Sequence, residues 1–214
     1  MISLSIFCST QRISAAIFDN QSLISSVNEK TVNNKIDKLP LLVKSMINLV
    51  SPKTLDEIFF SKGPGSYTAI RSIKALAQGM SVLSNSKVLA VDSFQIFLSQ
   101  IKVKPKRTIV FFKDFGEKYF LKDFLFLKEK YNSMEPNFKH LDLKKLEKLI
   151  QNELKENKDI LFVTEKSFIL EKKFSIFKKN FKFCEPNAIE VANACFLGFG
   201  SENLDIIYHH TYYE

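Results

Sequence analysis

Residues 58–71, IFFSKGPGSYTAIR, are the part of this chain whose reading decides the architecture. Ile58 to Ser61 is a compact apolar run of strand character, and Gly63-Pro64-Gly65-Ser66 then turns the chain into a helix that extends to about Leu83. Gly63 and Gly65 admit backbone angles closed to other residues, Pro64 fixes one dihedral, and Ser66 has a hydroxyl suited to capping free helix N–H groups. Lys87 to Val91 reads as the next strand, and Asp92 with Gln95 three residues on has capping-box spacing for a further helix. Upstream, Ile2 to Phe7, Ile13 to Phe18 and Leu23 to Val27 read as an antiparallel meander. Ser9-Thr10-Gln11 and Asp19-Asn20-Gln21-Ser22 supply the turn chemistry between them. Asn33 or Asn34 is a cap for a helix with Ile36, Leu39, Val43, Met46, Ile47 and Val50 at helical spacing, ended by Ser51-Pro52. Pro40 either sits in the first turn of a helix that starts later or kinks one that starts earlier.

The resulting order, βββαβαβ, is that of the ribonuclease H-like arrangement shared with the sugar kinase, Hsp70 and actin (ASKHA) superfamily. The expected fold is therefore α/β and actin-like, with an N-terminal lobe over 1–101 and a smaller, divergent α/β lobe over 102–214. The boundary is placed near Lys104-Pro105-Lys106. In the second lobe, Thr108 to Phe112, Tyr119 to Leu127 and Ile160 to Val163 read as strands, Phe120, Phe124 and Phe126 sharing one side of the middle one. Asp142 is positioned to cap a helix with Leu143, Leu146, Ile150 and Leu154 on one face. Pro186 fits the first turn of a late helix through Val191, Cys195 and Phe196, closed by Gly198 and Gly200.

With 214 residues, 45% hydrophobic and 25% charged, the chain has the composition of a folded globular protein. No apolar run reaches the roughly 18 residues that a membrane span needs. The N-terminus lacks a basic region ahead of its apolar stretch, so a cytoplasmic location is expected. Cys8, Cys184 and Cys195 are odd in number and lack C-x-x-C spacing, which fits free buried thiols. His140, His209 and His210 offer no helical metal pair. The net charge of +8 is concentrated: residues 102–182 hold 21 basic and 12 acidic side chains. A Lys-rich stretch attracts polyanions, and an RNA-binding module is one functional reading. The plainer reading is a solvated face, since three cations are Arg (Arg12, Arg71, Arg107) and 21 Phe accompany them, the usage of an AT-rich coding sequence.

At the helix after Ser66, an exposed N-terminus can hold an anion, but neither G-x-x-x-x-G-K-[ST] nor G-x-G-x-x-G is present. A purely structural turn is the stronger reading, and G-x-S-x-G does not match for a nucleophile. Thr68, Ser72, Ala75 and Gly79 form a stripe of small side chains along that helix. The stripe serves either packing on the chain's own sheet or close approach of a second protein's helix, with Leu39, Val43 and Met46 taking part. Enzymes on this fold hold a divalent ion with a carboxylate on the first strand, yet Met1 to Phe18 contains no Asp or Glu. Cys8, Ser9 and Thr10 follow the strand instead, so phosphoryl transfer by this chain is not expected.

Gly63-Pro64-Gly65-Ser66-Tyr67-Thr68 with Ile70-Arg71 resembles the G-P-G-S-F-T-G-L-R signature of the TsaB (YeaZ) family. Ser9-Thr10 through Ser14-Ala15-Ala16, Leu39-Pro40, and Gly116-Glu117 with Tyr119 resemble further family segments, so that about the first 120 residues are covered. The resemblance implies a non-catalytic protein that pairs with the threonylcarbamoyl transferase TsaD. With the ATPase TsaE, the pair forms N6-threonylcarbamoyladenosine (t6A) in tRNA. It further implies a partner face on Leu39, Val43 and Met46 of the first helix and on Tyr67, Thr68, Arg71, Ser72, Ala75 and Gly79 of the second. A homodimer through the same region is also implied, as are indirect contact with tRNA, no bound cofactor in the chain alone, and ATP or ADP only at the complex interface. Phe7 stands at the family's first-strand Asp, Ala69 at a Gly, Asn34 at a His and Phe112 near a later Asp. The competing readings are an ATP-dependent transferase or a glycopeptidase.

Overall fold

The computed structural model describes residues 1–8, 12–30, 36–114, 118–157, 159–168 and 172–208. Along the chain run β1 (Ile2–Cys8), β2 (Arg12–Asp19), β3 (Ser22–Lys30), α1 (Leu39–Ile47), β4 (Leu55–Ser61), α2 (Tyr67–Ser84), β5 (Lys87–Val91) and α3 (Ser93–Leu98). There follow β6 (Arg107–Lys113), β7 (Lys118–Leu127), β8 (Lys130–Ser133), β9 (Lys139–Asp142), α4 (Leu143–Glu156), β10 (Ile160–Glu165), β11 (Phe181–Cys184) and α5 (Ala188–Phe196). The chain forms two compact units, Met1–Ser99 with Pro186–Glu214 and Gln100–Glu185.

The first unit is built on a five-stranded sheet of order β3-β2-β1-β4-β5. The expected meander is antiparallel, with Leu4 opposite Ile17 and Ile6 opposite Ala15, while β4 and β5 join in parallel. Because side chains alternate along a strand, Leu4, Ile6, Ile13, Ala15, Ile58 and Phe60 share one face. There they meet Leu39, Leu42, Val43 and Met46 of α1 and Ala69, Ile73 and Ala77 of α2. The opposite face carries Phe7, Ala16, Phe18 and Phe59, covered by Val191, Ala192 and Ala194 of α5. A sheet covered on both sides explains why β1 and β2 are buried at nearly every position, the serines Ser3, Ser5 and Ser14 included.

The division of the chain differs from the expected one. Residues from Pro186 onward, assigned from sequence to a lobe over 102–214, belong to the first unit. The reason is local. Ser5 Oγ donates to the Ala188 carbonyl at 2.6 Å, and the Ala188 N–H donates to Ser14 Oγ at 2.8 Å. These buried hydroxyls of β1 and β2 thus satisfy both backbone groups at the start of α5, and its alanines let the helix lie close on the sheet. Pro186 precedes the helix instead of entering its first turn, because Asn187 is the cap and its Oδ1 accepts from the Ile189 and Glu190 amides. Pro40 does lie in the first turn of α1, the first of the two alternatives. The expected Asn33 and Asn34 caps lie outside the described residues, as do Ser9, Thr10, Gly116, Glu117, His209 and His210.

The second unit pairs β6 with β7 antiparallel and with β10 parallel; β11 extends the sheet from β10, and β8 and β9 pair with β7. Its core is aromatic. Phe111 meets Phe168, Tyr119 and Phe162 edge-on at centroid distances of 5.0, 6.3 and 6.4 Å, and Leu146, Ile150 and Leu154 of α4 close the layer. Asp142 caps α4 as its position predicts, accepting from the Lys145 amide. Arg107 forks between Asp123 (2.6 Å) and Glu153 (2.7 Å), tying β6 to β7 and α4, and the two carboxylates hold its guanidinium in the charged form. Lys104, Lys139, Lys145, Lys166 and Lys173 also pair with acids, so part of this unit's positive charge is neutralised locally. Among the described residues, no helix is long and apolar enough to cross a membrane.

Replacing Ser14 by Ala leaves the buried Ala188 amide without its acceptor. The variant should lose about 1–3 kcal/mol in urea unfolding, while Ser81→Ala on α2 should stay within about 0.5 kcal/mol of the parent.

Candidate partner-docking face

The Gly63–Ser66 turn is enclosed by its own chain. The Gly63–Pro64 peptide is cis and Gly63 has φ +100°. A Cβ at Gly63 would come within 2.3 Å of the Ile207 carbonyl oxygen, so only glycine fits. The Gly63 carbonyl accepts from the Ser93 amide at 2.7 Å, the Lys62 amide donates to Val91 O, and the Ile207 amide donates to Lys62 O at 2.8 Å. The ground an anion would need above Gly63 is therefore held by residue 207, and the turn is structural.

Two expectations about this turn are corrected. Gly65 lies outside the left-handed region, and a Cβ there would meet Ile70 Cδ1 at an ordinary 3.5 Å. Ser66 occupies the cap position of α2 but its hydroxyl makes no capping bond; its carbonyl accepts from the Ile70 amide at 2.9 Å. Pro64 is buried.

The residues expected on a partner face separate into two groups. Leu39, Val43 and Met46 are buried in the first unit's own core, so they are withdrawn as surface residues. Their spacing marks the inner side of α1, and an apolar stripe cannot by itself say whether the sheet or another protein receives it. Tyr67, Thr68, Arg71, Ala75 and Gly79 are exposed on α2, with Ser72 half-buried beside them. The stripe of small residues therefore points outward.

Sequence reasoning missed exposed apolar residues on both helices. Val82 and Leu83 at the far end of α2 are 84% and 81% exposed, and Leu41 of α1 is 68% exposed. The signal was available, since α1 and α2 each hold more apolar residues than one buried side uses. Also missed was Tyr208, whose ring meets Tyr67 edge-on at 5.3 Å.

Phe7, at the position where a carboxylate was sought, packs against Val91, Ile96 and α5. Among the described residues, no group of three or more His, Cys, Asp or Glu is placed to hold a metal. Burial pushes the Cys8 thiol up to about 12; burial, reinforced by the charge of Glu57, does the same to Cys195, so neither is a thiolate near neutrality. In the second unit, His140 Nε2 lies 2.9 Å from Asp114 Oδ2 and its ring stacks on Phe120.

The family described as "TsaD: tRNA N6-adenosine threonylcarbamoyltransferase" matches residues 27–120. A tRNA threonylcarbamoyladenosine biosynthesis protein TsaB of Buchnera aphidicola subsp. Acyrthosiphon pisum (strain APS) is 31% identical over 113 residues, 51% of this chain and 51% of that one. A solved structure described as an uncharacterized protein with similarity to peptidase YEAZ, from Pseudomonas aeruginosa, superposes with a TM-score of 0.68 at 14% identity, covering 98% of both chains. Over about half of its length the chain is thus similar in sequence to TsaB proteins, and its fold is that of the YeaZ-like structure. The aligned region spans about half the length of the curated TsaB relatives, 51% and 53%. An inorganic polyphosphate/ATP-glucomannokinase from Arthrobacter sp. strain KM superposes with a TM-score of 0.50 at 9% identity over 92% of this chain and 97% of its own. The two-sheet α/β architecture is thus one that this kinase shares with the YeaZ-like structure.

Gly63→Ala should cost about 2 kcal/mol or more, since the new methyl meets backbone at a positive φ, whereas Gly65→Ala should fall within about 0.5 kcal/mol of the parent; chemical denaturation separates them. The raised thiols make a second prediction. In the unfolded chain Cys8 and Cys195 titrate near their ordinary 9.0 and in the folded chain near 12, so the folded form keeps protons that the unfolded form releases. Their contribution to stability should be constant below pH 9 and decline towards pH 12. Urea midpoints between pH 8 and 10.5 should fall less steeply for Cys8→Ala/Cys195→Ala than for the parent.

Proposed function

We propose that this protein is a non-catalytic partner of TsaD in t6A formation on tRNA, docking through the outward face of α2 with the exposed edge of α1. The observation that carries this reading is the stripe Thr68, Ala75, Gly79 and Val82, an exposed helix surface of small and apolar side chains. Such a surface lets another helix come close, as in four-helix packing. Gly79 sharpens the point. A Cβ there would meet nothing within 4 Å, so glycine in that helix interior lowers the stability of the free chain without easing any contact inside it. A close approach from outside would account for it.

The catalytic alternatives have less support. No Asp or Glu precedes Asp19, and Phe7 fills the carboxylate position with a packed ring. The threonylcarbamoyl transfer therefore belongs, in this reading, to TsaD, with TsaE as the associated ATPase and tRNA engaged through the complex. The RNA-binding alternative is weakened by the ion pairs that absorb part of the second unit's lysine charge.

The test is to mix the chain with its cognate TsaD, measure mass by light scattering, and reconstitute tRNA modification with and without the chain. Ala75→Arg should abolish the complex, because a buried cation without a partner is strongly unfavourable, while leaving the melting temperature within a few degrees of the parent. Gly79→Ala should stabilise the free chain by about 0.5–1 kcal/mol and yet weaken the complex. A complex unaffected by both substitutions would remove α2 as the docking face.

A further inference from the structure

Residues Ser201–Tyr208 run along the first unit and are tied to it at several points. Ser201 pairs with Ala90 of edge strand β5 through reciprocal backbone bonds of 2.8 and 3.0 Å, and Glu202 pairs with Lys87 at 2.8 Å. Lys62 Nζ donates to the Asn203 carbonyl at 2.9 Å, Leu204 packs on the first unit's core, and the Ile207 amide donates to Lys62 O. The segment thus crosses the edge of the sheet and passes over Gly63. It delivers the Tyr208 ring to Tyr67, the first residue of α2.

Tyr67 is also met by Arg71, its guanidinium carbon 5.2 Å from the ring centre and its Nη1 3.4 Å from the Tyr67 hydroxyl. Tyr67 thus touches both Tyr208 and Arg71, and among the described residues no carboxylate pairs with Arg71. The two helices are one-sided in charge: Leu39–Ile47 and Tyr67–Ser84 contain Lys44, Arg71 and Lys74 and not a single acid, and of the two acids on the segment, Glu202 and Asp205, Glu202 is paired with Lys87.

We propose that Ser201–Tyr208 is a strap that presents Arg71 to a carboxylate on an acidic, apolar helical surface of the partner protein. Tyr208 is a positioning residue that acts through Tyr67. The inference rests on the docking face described above and adds its charge and its chain-terminal support. A guanidinium held against an aromatic ring has part of its ordering completed before binding, and its planar fork can take a carboxylate in two parallel bonds. The charge pattern also selects the occupant: a second copy of this chain would set Lys44, Arg71 and Lys74 against the same cations, whereas an acidic helix complements them.

The experiment titrates cognate TsaD into the full chain and its variants by calorimetry at low and high salt, with thermal melts to verify folding. Arg71→Glu should weaken binding by about tenfold or more, and Arg71→Lys by about threefold, because an ammonium replaces the fork. Tyr208→Ala should weaken binding about threefold or more in the parent background, but cause no further loss beside Arg71→Ala, since its effect runs through that side chain. Tyr208→Phe should bind like the parent. If the parent binds TsaD and Arg71→Glu binds equally well, the proposal is wrong and the docking face survives. Additive losses from Tyr208→Ala and Arg71→Ala refute the positioning role. A parent chain that does not bind TsaD refutes the docking reading and this proposal together. A homodimer that Arg71→Glu disrupts assigns the face to a second copy and overturns the choice of occupant.

Discussion

The first unit is held together by the return of the chain to its own beginning. Ser5 and Ser14, buried on adjacent strands, grasp the carbonyl and amide of Ala188 more than 170 residues away, and α5 settles over Phe7, Phe18 and Phe59. Without that helix one side of the central sheet would present three phenylalanines to water, each worth roughly 1.5–3 kcal/mol when buried. Polar groups in a sheet core are costly unless paired, and here the pairing is specific to the first turn of α5. The two serines therefore set where the last helix docks, and with it where the terminal segment begins.

The same return gives the glycine-rich turn its meaning. A turn of this composition before a helix suggests an anion site when only the sequence is considered, because exposed amides and the helix dipole attract negative charge. Ile207 occupies the space above Gly63, and the glycine is needed so that two backbones can touch. The turn then aims α2 so that Ile70, Ile73 and Ala77 enter the core while Thr68, Arg71, Ala75 and Gly79 face outward. A motif that looks like ligand chemistry thus serves to orient a surface.

The strands and helices of the first 100 residues were readable because each is a strong local signal: apolar strands with turn residues between them, and long helices with an apolar period. The second unit was less readable. Its β7–β8 turn places Lys128 and Glu129 at positive φ, where glycine or asparagine would normally announce a hairpin, and the four-residue strands β8, β9 and β11 depend on their neighbours for pairing. On the candidate face, Thr68, Ala75 and Gly79 were legible as a small-residue stripe, whereas Leu39, Val43 and Met46 gave the same apolar signal and proved to belong to the core. Tyr208 could not be found in advance, since nothing near it in the chain points to Tyr67, 141 positions earlier.

Composition and local pattern were sufficient for the α/β class, the order of elements in the first half, the absence of a first-strand acid and the need for glycine at position 63. Those properties depend on residues within a few positions of one another, where sterics, alternation and helical period act directly. The assignment of Pro186–Glu214 to the first unit, the inward turn of α1 and the contacts of Tyr67 with Tyr208 and Arg71 were decided by the folded chain. Each pits one apolar or aromatic group against several equivalent destinations, and only three-dimensional packing ranks them, because burial rewards area without regard to separation along the sequence.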